Sequence, residues 1–456
     1  MALTDPSHSA MPKKRNDFST PSRSRVAAGN ENDRLLSRRR SSDLWLMLLL
    51  LALSGDPVFT TPQINRVLIP ILALVLGAYI AGRRRMARKY SALPIMAIFG
   101  TIIAVQTVHF VFFPAFTLLG LFCRLAIAYE FVTLISDFAG TYIRAVTVLA
   151  IMAMFFFFAN VAGSVVGINV AGVTRDLALP IDFNTGAWTF LFHTYSTNPT
   201  DANRNAGMFW EPGAFAGYLN LALVFLCILR SRFTKRSFYR QFVVLSFCLL
   251  TTQSTVGYIA FAVVIFLAGL SGATIRFRPK ARAILAAVCI LMAFAIFSVN
   301  ANFMIPKIEN SILVSTAKTE SWEADRLGNL IFDSTYISAR PLTGWGINDE
   351  TRLMLNPDLA GNALIGRGNG MSGFAAEFGV PALLLWLYCI YRILLTLSGS
   401  RKGLAIGGLV VILITLNDET FLNYPLFLSF FFLANLYSGR AFRARADARE
   451  LQICPE

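Results

Sequence analysis

The chain has 456 residues, of which 55% are hydrophobic and 15% are charged, and its mean hydropathy is +0.57. Because soluble proteins carry about 25% charged residues, this composition excludes an ordinary soluble domain. The net charge of +15 does not predict a nucleic-acid partner, since the basic residues fall in short clusters between apolar segments, as in membrane proteins.

Apolar segments close to the ~20 residues that cross a bilayer recur along the chain. The sequence predicts an all-α fold, a polytopic transmembrane helical bundle of about 12 spans. The predicted spans lie near 44–59, 64–82, 91–110, 114–134, 145–167, 207–229, 241–252, 254–273, 283–300, 371–392, 403–417 and 420–437. The seventh and eighth form one apolar stretch that polar residues interrupt at 251–254. The apolar runs do not alternate with polar residues, which excludes a β-barrel.

The basic clusters predict which side of the membrane each loop faces. They lie at 83–89, 230–240, 276–282, 401–402 and after 437. Basic loops stay in the cytoplasm, so both chain termini are predicted to be cytoplasmic. Residues 1–43 and 438–456 have the composition of basic cytoplasmic tails, the first of them disordered. The bundle then occupies 44–437, with two long loops, 168–206 and 301–370, on the outer face.

Cysteine and histidine give no sign of a metal or redox site. Most of the six cysteines lie inside apolar segments, which is typical of buried thiols rather than of a disulfide framework. The three histidines are scattered along the chain, without the spacing of a metal site. We therefore expect neither a metal nor another cofactor.

The first candidate site lies where the loop 168–206 meets the sixth span. Arg204 is the last charged residue of the loop, and the run Phe-Trp-Glu-Pro-Gly lies at 209–213; with the helix beginning by Gly207, Glu211 is predicted one turn inside it. Charges at a membrane edge cost free energy and are usually kept for function. A snorkelling anchor is the alternative for Arg204, and a helix cap is the alternative for Glu211.

The second long loop supplies two more arginines. Arg326 lies in a segment whose apolar spacing predicts an amphipathic helix, and Arg367 lies among glycines, with Asn369, before the tenth span. Glycines let an anionic ligand approach the backbone, and the helix start that follows favours negative charge. Glu377 lies one to two turns into that helix. A solvated loop arginine and a flexible hinge are the alternatives.

Other charges near the spans receive no role from the sequence. Arg124 and Glu130 lie within the fourth span, at a spacing that does not place them on one helical face. A further polar cluster, which an ordinary outer turn would also produce, consists of Asp418, Glu419 and Asn423.

The outer arginines match the geometry of phosphate, which a guanidinium binds with two parallel hydrogen bonds. A diphosphate at the bilayer surface is therefore the expected ligand, as in a lipid-linked sugar.

Three motifs follow one another on the predicted outer face. The first is Arg204 with the run at 209–213, and the second is Arg326 followed by Pro-Leu-Thr-Gly-Trp-Gly at 341–346. The third is Asn-Gly at 369–370 followed by Glu-Phe-Gly at 377–379. In this order and on this face, they make the chain resemble the O-antigen ligase and polysaccharide polymerase superfamily of bacterial inner membranes.

The resemblance implies an inner-membrane enzyme that acts on undecaprenyl-diphosphate-linked oligosaccharide at the periplasmic face, without a metal or a nucleotide. The substrate-binding residues that it implies are Arg204, Arg326, Arg367, Asn369 and Trp345. An acceptor hydroxyl displaces the diphosphate, and Glu211 or Glu377 is the candidate base. Membrane lipid and a chain-length regulator protein are the further partners that the resemblance implies.

The family's ligases carry a histidine in the loop before the Asn-Gly helix start, whereas this sequence has Gly-Arg-Gly at 366–368. That difference favours a polymerase, which joins repeat units into exopolysaccharide or O-antigen. A ligase that moves finished glycan onto an acceptor is the first alternative. A non-enzymatic polysaccharide transporter or flippase is the second, although such proteins often contain internal repeats, and the sequence shows no clear one.

Overall fold

The computed structural model describes residues 41–60, 62–82, 92–177, 187–190, 192–196, 203–270, 326–352, 354–355, 370–417 and 419–437. Contacts between residues divide the chain into a unit of residues 1–42 and a unit of residues 43–456, and the second unit contains the bundle. Residues 1–40 and 438–456 of the predicted tails lie outside the described residues. So does the ninth predicted span, at 283–300.

The described helices, in chain order, are α1 (Ser41–Gly55), α2 (Pro57–Thr60), α3 (Pro62–Gly82), α4 (Leu93–Phe110), α5 (Ala115–Leu134), α6 (Phe138–Val165), α7 (Val170–Leu177), α8 (Pro212–Ile228), α9 (Lys235–Thr251), α10 (Thr255–Leu270), α11 (Arg326–Ala339), α12 (Asp349–Arg352), α13 (Gly370–Phe378), α14 (Val380–Leu397), α15 (Lys402–Leu416) and α16 (Pro425–Tyr437). The strands are β1 (Ala187–Phe190) and β2 (His193–Ser196). Short 3-10 turns lie at Arg230–Arg232 and Phe421–Asn423.

Among the described residues, five helices are long and apolar enough to cross a membrane, namely α3, α4, α5, α6 and α14. Five shorter apolar helices, α1, α8, α10, α15 and α16, accompany them. Apolar side chains such as Leu74, Val108 and Phe155 are exposed on α3, α4 and α6, as expected of a surface that faces lipid. The structure confirms a multi-pass helical membrane protein, while the full count of about 12 spans stays a prediction.

Helix α8 forms the core of the bundle. Its 17 residues are all buried, and it packs against α6, α9, α10 and α15. A helix that is apolar on every side is stable only where protein or lipid surrounds it. Its polar side chains have partners: Asn220 donates from Nδ2 to the carbonyl of Gly257 at 3.0 Å, and the Tyr218 hydroxyl donates to the carbonyl of Ser54. The core therefore fixes the helix that begins directly after Glu211.

Capping residues start two helices earlier than hydropathy predicts. Helix α6 begins at Phe138 rather than near 145, and α9 begins at Lys235 rather than near 241. The side chains of Asp137 and Thr234 each accept a hydrogen bond from an amide in the first turn. Such caps satisfy amides that the helix leaves without a partner, so polar residues join the helix ahead of the apolar run.

The tenth predicted span, 371–392, consists of two helices rather than one. Helix α13 ends at Phe378 and α14 begins at Val380, and Gly379 lies between them with φ +87° and ψ 158°. This backbone conformation is open essentially to glycine alone, so the chain turns although the apolar run continues. The predicted amphipathic helix is present as α11, which packs on α13.

The first long loop contains local structure that the sequence analysis did not predict. After α7, β1 and β2 form an antiparallel hairpin in which Phe190 is opposite His193. The amide of Thr194 donates to the carbonyl of Gly207 at 2.6 Å, so the hairpin holds the segment that leads into α8. Burial lowers the pKa of His193 to about 3, so its imidazole is neutral at physiological pH.

Candidate functional site

The sequence motifs meet at the end of the bundle where α8 begins, which we call the loop end. It consists of residues 203–211, 252–254, 341–348, 370–379 and 419–424. Hydrogen bonds between these segments hold them at one place. This is also the end that the charge pattern predicts to face the periplasm.

Arg204 is anchored to the turn between α9 and α10. Its Nε donates to the carbonyl of Thr252 at 3.2 Å, and its side chain is half-buried. The neighbouring Asn205 donates from its backbone amide and from its Nδ2 to oxygens of Thr251, at 3.0 and 2.8 Å. These bonds fix the guanidinium at the loop end, whereas a snorkelling anchor extends freely toward the bilayer surface. The contact of Arg204 with a diphosphate stays a prediction.

Trp210 connects the start of α8 to the turn that precedes α16. Its Nε1 donates to Oε2 of Glu419 at 3.1 Å. Its ring lies 5.2 Å from the ring of Tyr424 and 5.9 Å from that of Phe421. Glu419, a member of the predicted polar cluster, therefore belongs to the loop end.

Glu211 occupies the N-cap position of α8, directly before Pro212. Its backbone is extended, with φ −155° and ψ 162°, and its side chain makes no capping hydrogen bond. The structure therefore does not support a side-chain cap as the reason for a glutamate here. The half-buried carboxylate lies near the positive end of the α8 dipole, which favours negative charge.

The motifs Pro-Leu-Thr-Gly-Trp-Gly and Glu-Phe-Gly lock together through their backbones. The amide of Trp345 donates to the carbonyl of Ala376 at 2.9 Å. The amide of Gly346 donates to the carbonyl of Glu377 at the same distance. The segment 341–346 is thereby joined to the end of α13 by bonds that do not depend on side chains.

Glycine is required on both sides of this contact. Gly344 has φ +66°, and a Cβ there would lie 2.5 Å from the carbonyl oxygen of Glu377. At Gly379, with φ +87°, a Cβ would overlap a carbonyl oxygen of the facing motif. Gly370, from the Asn-Gly motif, packs so closely on the backbone of Glu419 that a Cβ would overlap there as well. These glycines thus permit close contact between two backbones rather than the motion of a hinge.

Trp345 packs inside a small aromatic cluster. Its Nε1 donates to the carbonyl of Tyr336 at 2.8 Å, and its ring lies 5.7 Å from that of Phe110. The guanidinium of Arg340 lies over the rings of Phe110 and Trp345, at 4.6 and 5.6 Å. With 6% of its surface exposed, the indole has little area left for a glycan, and that contact stays a prediction.

Glu377 joins α13 to the turn before α16. Only 3% of its surface is exposed, and its Oε2 accepts a hydrogen bond from Nδ2 of Asn423 at 2.9 Å. Its backbone carbonyl accepts a second bond from Nε2 of Gln106 in α4, at 2.8 Å. The Trp210 ring is packed against the ring of Tyr424, which follows Asn423, so one turn connects Glu377 to the segment that contains Glu211.

Arg124, which the sequence left without a role, lies in α5 beside this turn. Its Nη2 donates to Oδ1 of Asn65 in α3 at 3.3 Å. Its guanidinium interacts electrostatically with Tyr424 and Glu377. The signal that could have assigned Arg124 to the site is its charge within an apolar span. No sequence signal distinguishes Asn65 or Tyr424 from ordinary polar residues.

A buried ion pair fastens α11 to the loop end. Nη2 of Arg352 donates to Oδ1 of Asp333, and the Ser372 hydroxyl donates to Oδ2 at 2.5 Å. The guanidinium of Arg352 also lies 4.6 Å from the ring centre of Tyr336. Burial raises the pKa of Asp333, although the charge of Arg352 opposes the rise. Sequence reasoning missed this group because its members are far apart in the chain and form no motif.

Several predicted site residues have no described side chain. Arg326 is the first residue of α11, and its side chain lies outside the described part of the structure. The other such residues, Arg367, Asn369 and Asp418, lie outside the described residues altogether. Within the described part, no group of three or more His, Cys, Asp or Glu side chains could hold a metal ion.

Residues 241–387 match the family described as O-antigen ligase. This part of the chain is similar to that family. This match confirms the resemblance that the three motifs indicated. The matched region runs from α9 into α14 and contains the interlocked motifs, whereas Arg124, Glu211 and the turn at 419–424 lie outside it. No curated protein matches the chain.

Proposed function

We propose that the protein is a polysaccharide polymerase, which joins undecaprenyl-diphosphate-linked oligosaccharide repeat units at the periplasmic face of the inner membrane. Its product is exopolysaccharide or O-antigen. The main support for the proposal is the turn at 419–424. In this turn, Glu419 accepts a hydrogen bond from Trp210 and Asn423 donates one to Glu377. This turn brings the motif segments that follow the two long loops to one place at the end of the region that matches the O-antigen ligase family.

The proposed reaction transfers a glycan from a diphosphate to a hydroxyl group. The acceptor oxygen forms a bond to the anomeric carbon, and the bond from that carbon to the diphosphate oxygen breaks. Undecaprenyl diphosphate leaves with the bonding electrons. Because negative charge grows on the leaving group, we expect the guanidinium groups of Arg204 and Arg326 to stabilise the transition state more than the bound substrate.

Glu377 is the better supported candidate for the base that accepts the hydroxyl proton. Asn423 holds its carboxylate, and the surrounding protein shields it from water. Glu211, the other candidate, is half-buried at the N-cap position of α8. A base must lie within hydrogen-bond reach of the proton it takes, and a held carboxylate meets this requirement more consistently.

A deletion strain separates the three candidate functions. We expect loss of a polymerase to leave single repeat units on the lipid carrier, visible by mass spectrometry of extracted glycolipids. Loss of a ligase leaves long lipid-linked chains instead. If the purified protein moves lipid-linked sugar across liposomes and forms no glycosidic bond, it is a transporter, and the proposal fails.

In complemented deletion membranes, we expect Arg204→Ala and Arg326→Ala to lengthen lipid-linked repeats about a hundredfold more slowly than wild type. Each variant removes a charge from the proposed diphosphate site, and Arg204→Lys should recover only part of the rate because lysine lacks the planar fork. Arg392→Ala is the matched control, since Arg392 is an exposed arginine of α14 that bonds to Tyr388. Full chain lengthening by Arg326→Ala contradicts a diphosphate contact.

The two carboxylates can be distinguished in the same assay. We expect Glu377→Gln, which keeps the shape of the side chain, to lower the turnover number about a hundredfold or more. Glu211→Gln should lower it far less. The opposite order of the two effects would assign the base to Glu211.

A further inference from the structure

Helices α11 and α13 lie side by side and run in the same direction. Near the start of α13, the Ser372 hydroxyl donates to Oδ2 of Asp333 at 2.5 Å, and just past the ends of both helices the amide of Val380 donates to the carbonyl of Pro341 at 2.8 Å. Both bonds join residues that are 39 positions apart, so the two helices keep one register along their contact. In this register, residues 326–330 of α11 extend past the first residue of α13.

Asn329 lies in this extension, on the face of α11 that contacts α13. It precedes Asp333 by four positions, and residues four apart share one face of a helix. Only 7% of its surface is exposed, and its Nδ2 has no hydrogen-bond partner among the described residues. Burying a donor without an acceptor costs free energy, which indicates that the acceptor comes from outside the fold, as a ligand or as water.

The unpaired groups around α11 are all of one kind. Among the described side chains of residues 326–352 and 370–378, the buried atoms without a hydrogen-bond partner are Nδ2 of Asn329, Nη1 of Arg340 and Nη1 of Arg352. All three are donors. A water molecule brings two donors of its own, whereas a phosphate group brings several strong acceptor oxygens. This surplus of donors favours an anionic ligand over ordered water.

The start of the nine-residue helix α13 also favours an anion. The N-terminal end of a helix carries a partial positive charge from its backbone amides. Asn329 is level with the stretch just before this end, where the backbone of Glu419 packs on Gly370. The carboxylate of Asp333, one turn further along α11, is paired with Arg352, so it leaves little net negative charge to repel an anion.

The spacing along α13 fits the transfer reaction of the proposed function. Glu377, the better supported candidate base, lies seven residues after Gly370, which is about 10 Å along a helix axis. In the reacting complex, the base lies about 3 Å from the acceptor hydroxyl, and that oxygen lies about 3 Å from the anomeric carbon. An anion at the start of α13 is thus far enough from Glu377 for the anomeric carbon to lie between them.

We propose that Asn329 is a substrate-binding residue, whose Nδ2 donates to a phosphate oxygen of the lipid-linked donor at the N-terminal end of α13. As the bond to the anomeric carbon breaks, the leaving diphosphate gains negative charge, and this hydrogen bond strengthens. The dipole of α13 acts on the same oxygens. The assignment to the lipid-linked donor rests on the proposed polymerase function, but the binding of a phosphate group at this place does not.

Asn329→Leu tests the site by its opposite effects on binding and stability. We expect the purified variant to bind farnesyl diphosphate about tenfold or more weakly than wild type, measured by isothermal titration calorimetry in detergent. Its unfolding temperature without ligand should equal that of wild type or rise, because an apolar side chain of similar size removes an unpaired buried donor. A lower unfolding temperature with unchanged affinity would mean that the fold or a water molecule uses the amide, and overturns the proposal.

Two further variants and a second probe complete the binding test. Asn329→Asp keeps the shape of the side chain and places a negative charge beside the phosphate, so it should weaken binding at least as much as Asn329→Leu. An acidic residue near the start of α11 is favoured by the helix dipole, so this variant should fold. Ser338→Leu, the matched control, changes an exposed serine of the same helix and should bind like wild type. Farnesol lacks the diphosphate, and an equal loss of affinity for both probes overturns the phosphate contact.

The site and the polymerase function fail in distinguishable ways. If wild type lengthens no repeat units but binds farnesyl diphosphate through Asn329, the polymerase function is wrong and the phosphate site stands. If wild type lengthens repeat units and Asn329→Leu does so with unchanged kcat/KM, the function stands and the site is wrong. We expect kcat/KM of Asn329→Leu to fall about tenfold or more, in line with its weaker binding.

Discussion

Gly379→Ala is expected to lower the free energy of unfolding by about 3 kcal/mol or more. Gly379 lies at φ +87° and ψ 158°, which residues with a Cβ avoid, and the added methyl would overlap the carbonyl oxygen of Leu342. The overlapping oxygen belongs to backbone, so it cannot give way as a flexible side chain would. We expect the purified variant to unfold at a lower temperature in detergent, with loss of chain lengthening.

Gly403→Ala is the matched control for this change. Gly403 lies in α15, and nothing in the described structure would lie within 4 Å of its added Cβ. Alanine in a helix is favoured over glycine by about 1 kcal/mol, so this variant should keep or raise the unfolding temperature. If Gly379→Ala unfolds at the same temperature as the wild-type protein, the contact between the two motifs does not constrain the fold.

Arg352→Met is expected to destabilise the protein by about 3–5 kcal/mol, because it leaves the carboxylate of Asp333 buried without its cation. Asp333 and Arg352 are each 7% exposed at the side chain, so water cannot replace the lost partner. The bond from Ser372 remains, but a single hydroxyl does not balance a charge. Thermal unfolding, together with proteolysis of α11, measures the effect.

Two controls separate charge burial from a general loss of packing. Arg232→Met removes a surface ion pair with Asp137, whose side chains are 55% and 48% exposed, and should cost at most about 1 kcal/mol. The double variant Asp333→Leu with Arg352→Met replaces the buried pair by apolar groups and should recover much of the stability. A double variant as unstable as Arg352→Met alone would contradict a cost due to the unpaired charge.

The sequence was sufficient to predict where most described helices lie, because apolar runs and basic clusters are local signals. The interruption at 251–254 is an example, since α9 ends at Thr251 and α10 begins at Thr255. The helix break at Gly379 was not predicted, because hydropathy carries no information about the backbone conformation inside an apolar run. The hairpin of β1 and β2 was missed because its four-residue strands are too short to show a period.

The site was only partly predictable for a different reason. Arg204, Glu211 and Glu377 could be singled out as charges at helix ends. Partners such as Thr252 for Arg204 and Asn423 for Glu377 could not, because tertiary packing alone selects them: the two pairs are 48 and 46 positions apart in the chain. Arg124 shows the same limit, since the sequence reveals a costly charge but not its partner Asn65.

The contact between residues 341–346 and 376–379 bears on how enzymes of this kind can change their substrate. Its hydrogen bonds join main-chain atoms, which are the same in every sequence. What it requires of side chains is that residues 344 and 379 have no Cβ, so both are glycine. We therefore expect that residues 353–369 can be exchanged with those of a relative while this contact is kept. Under the proposed function, such chimeras would test whether this loop selects the sugar.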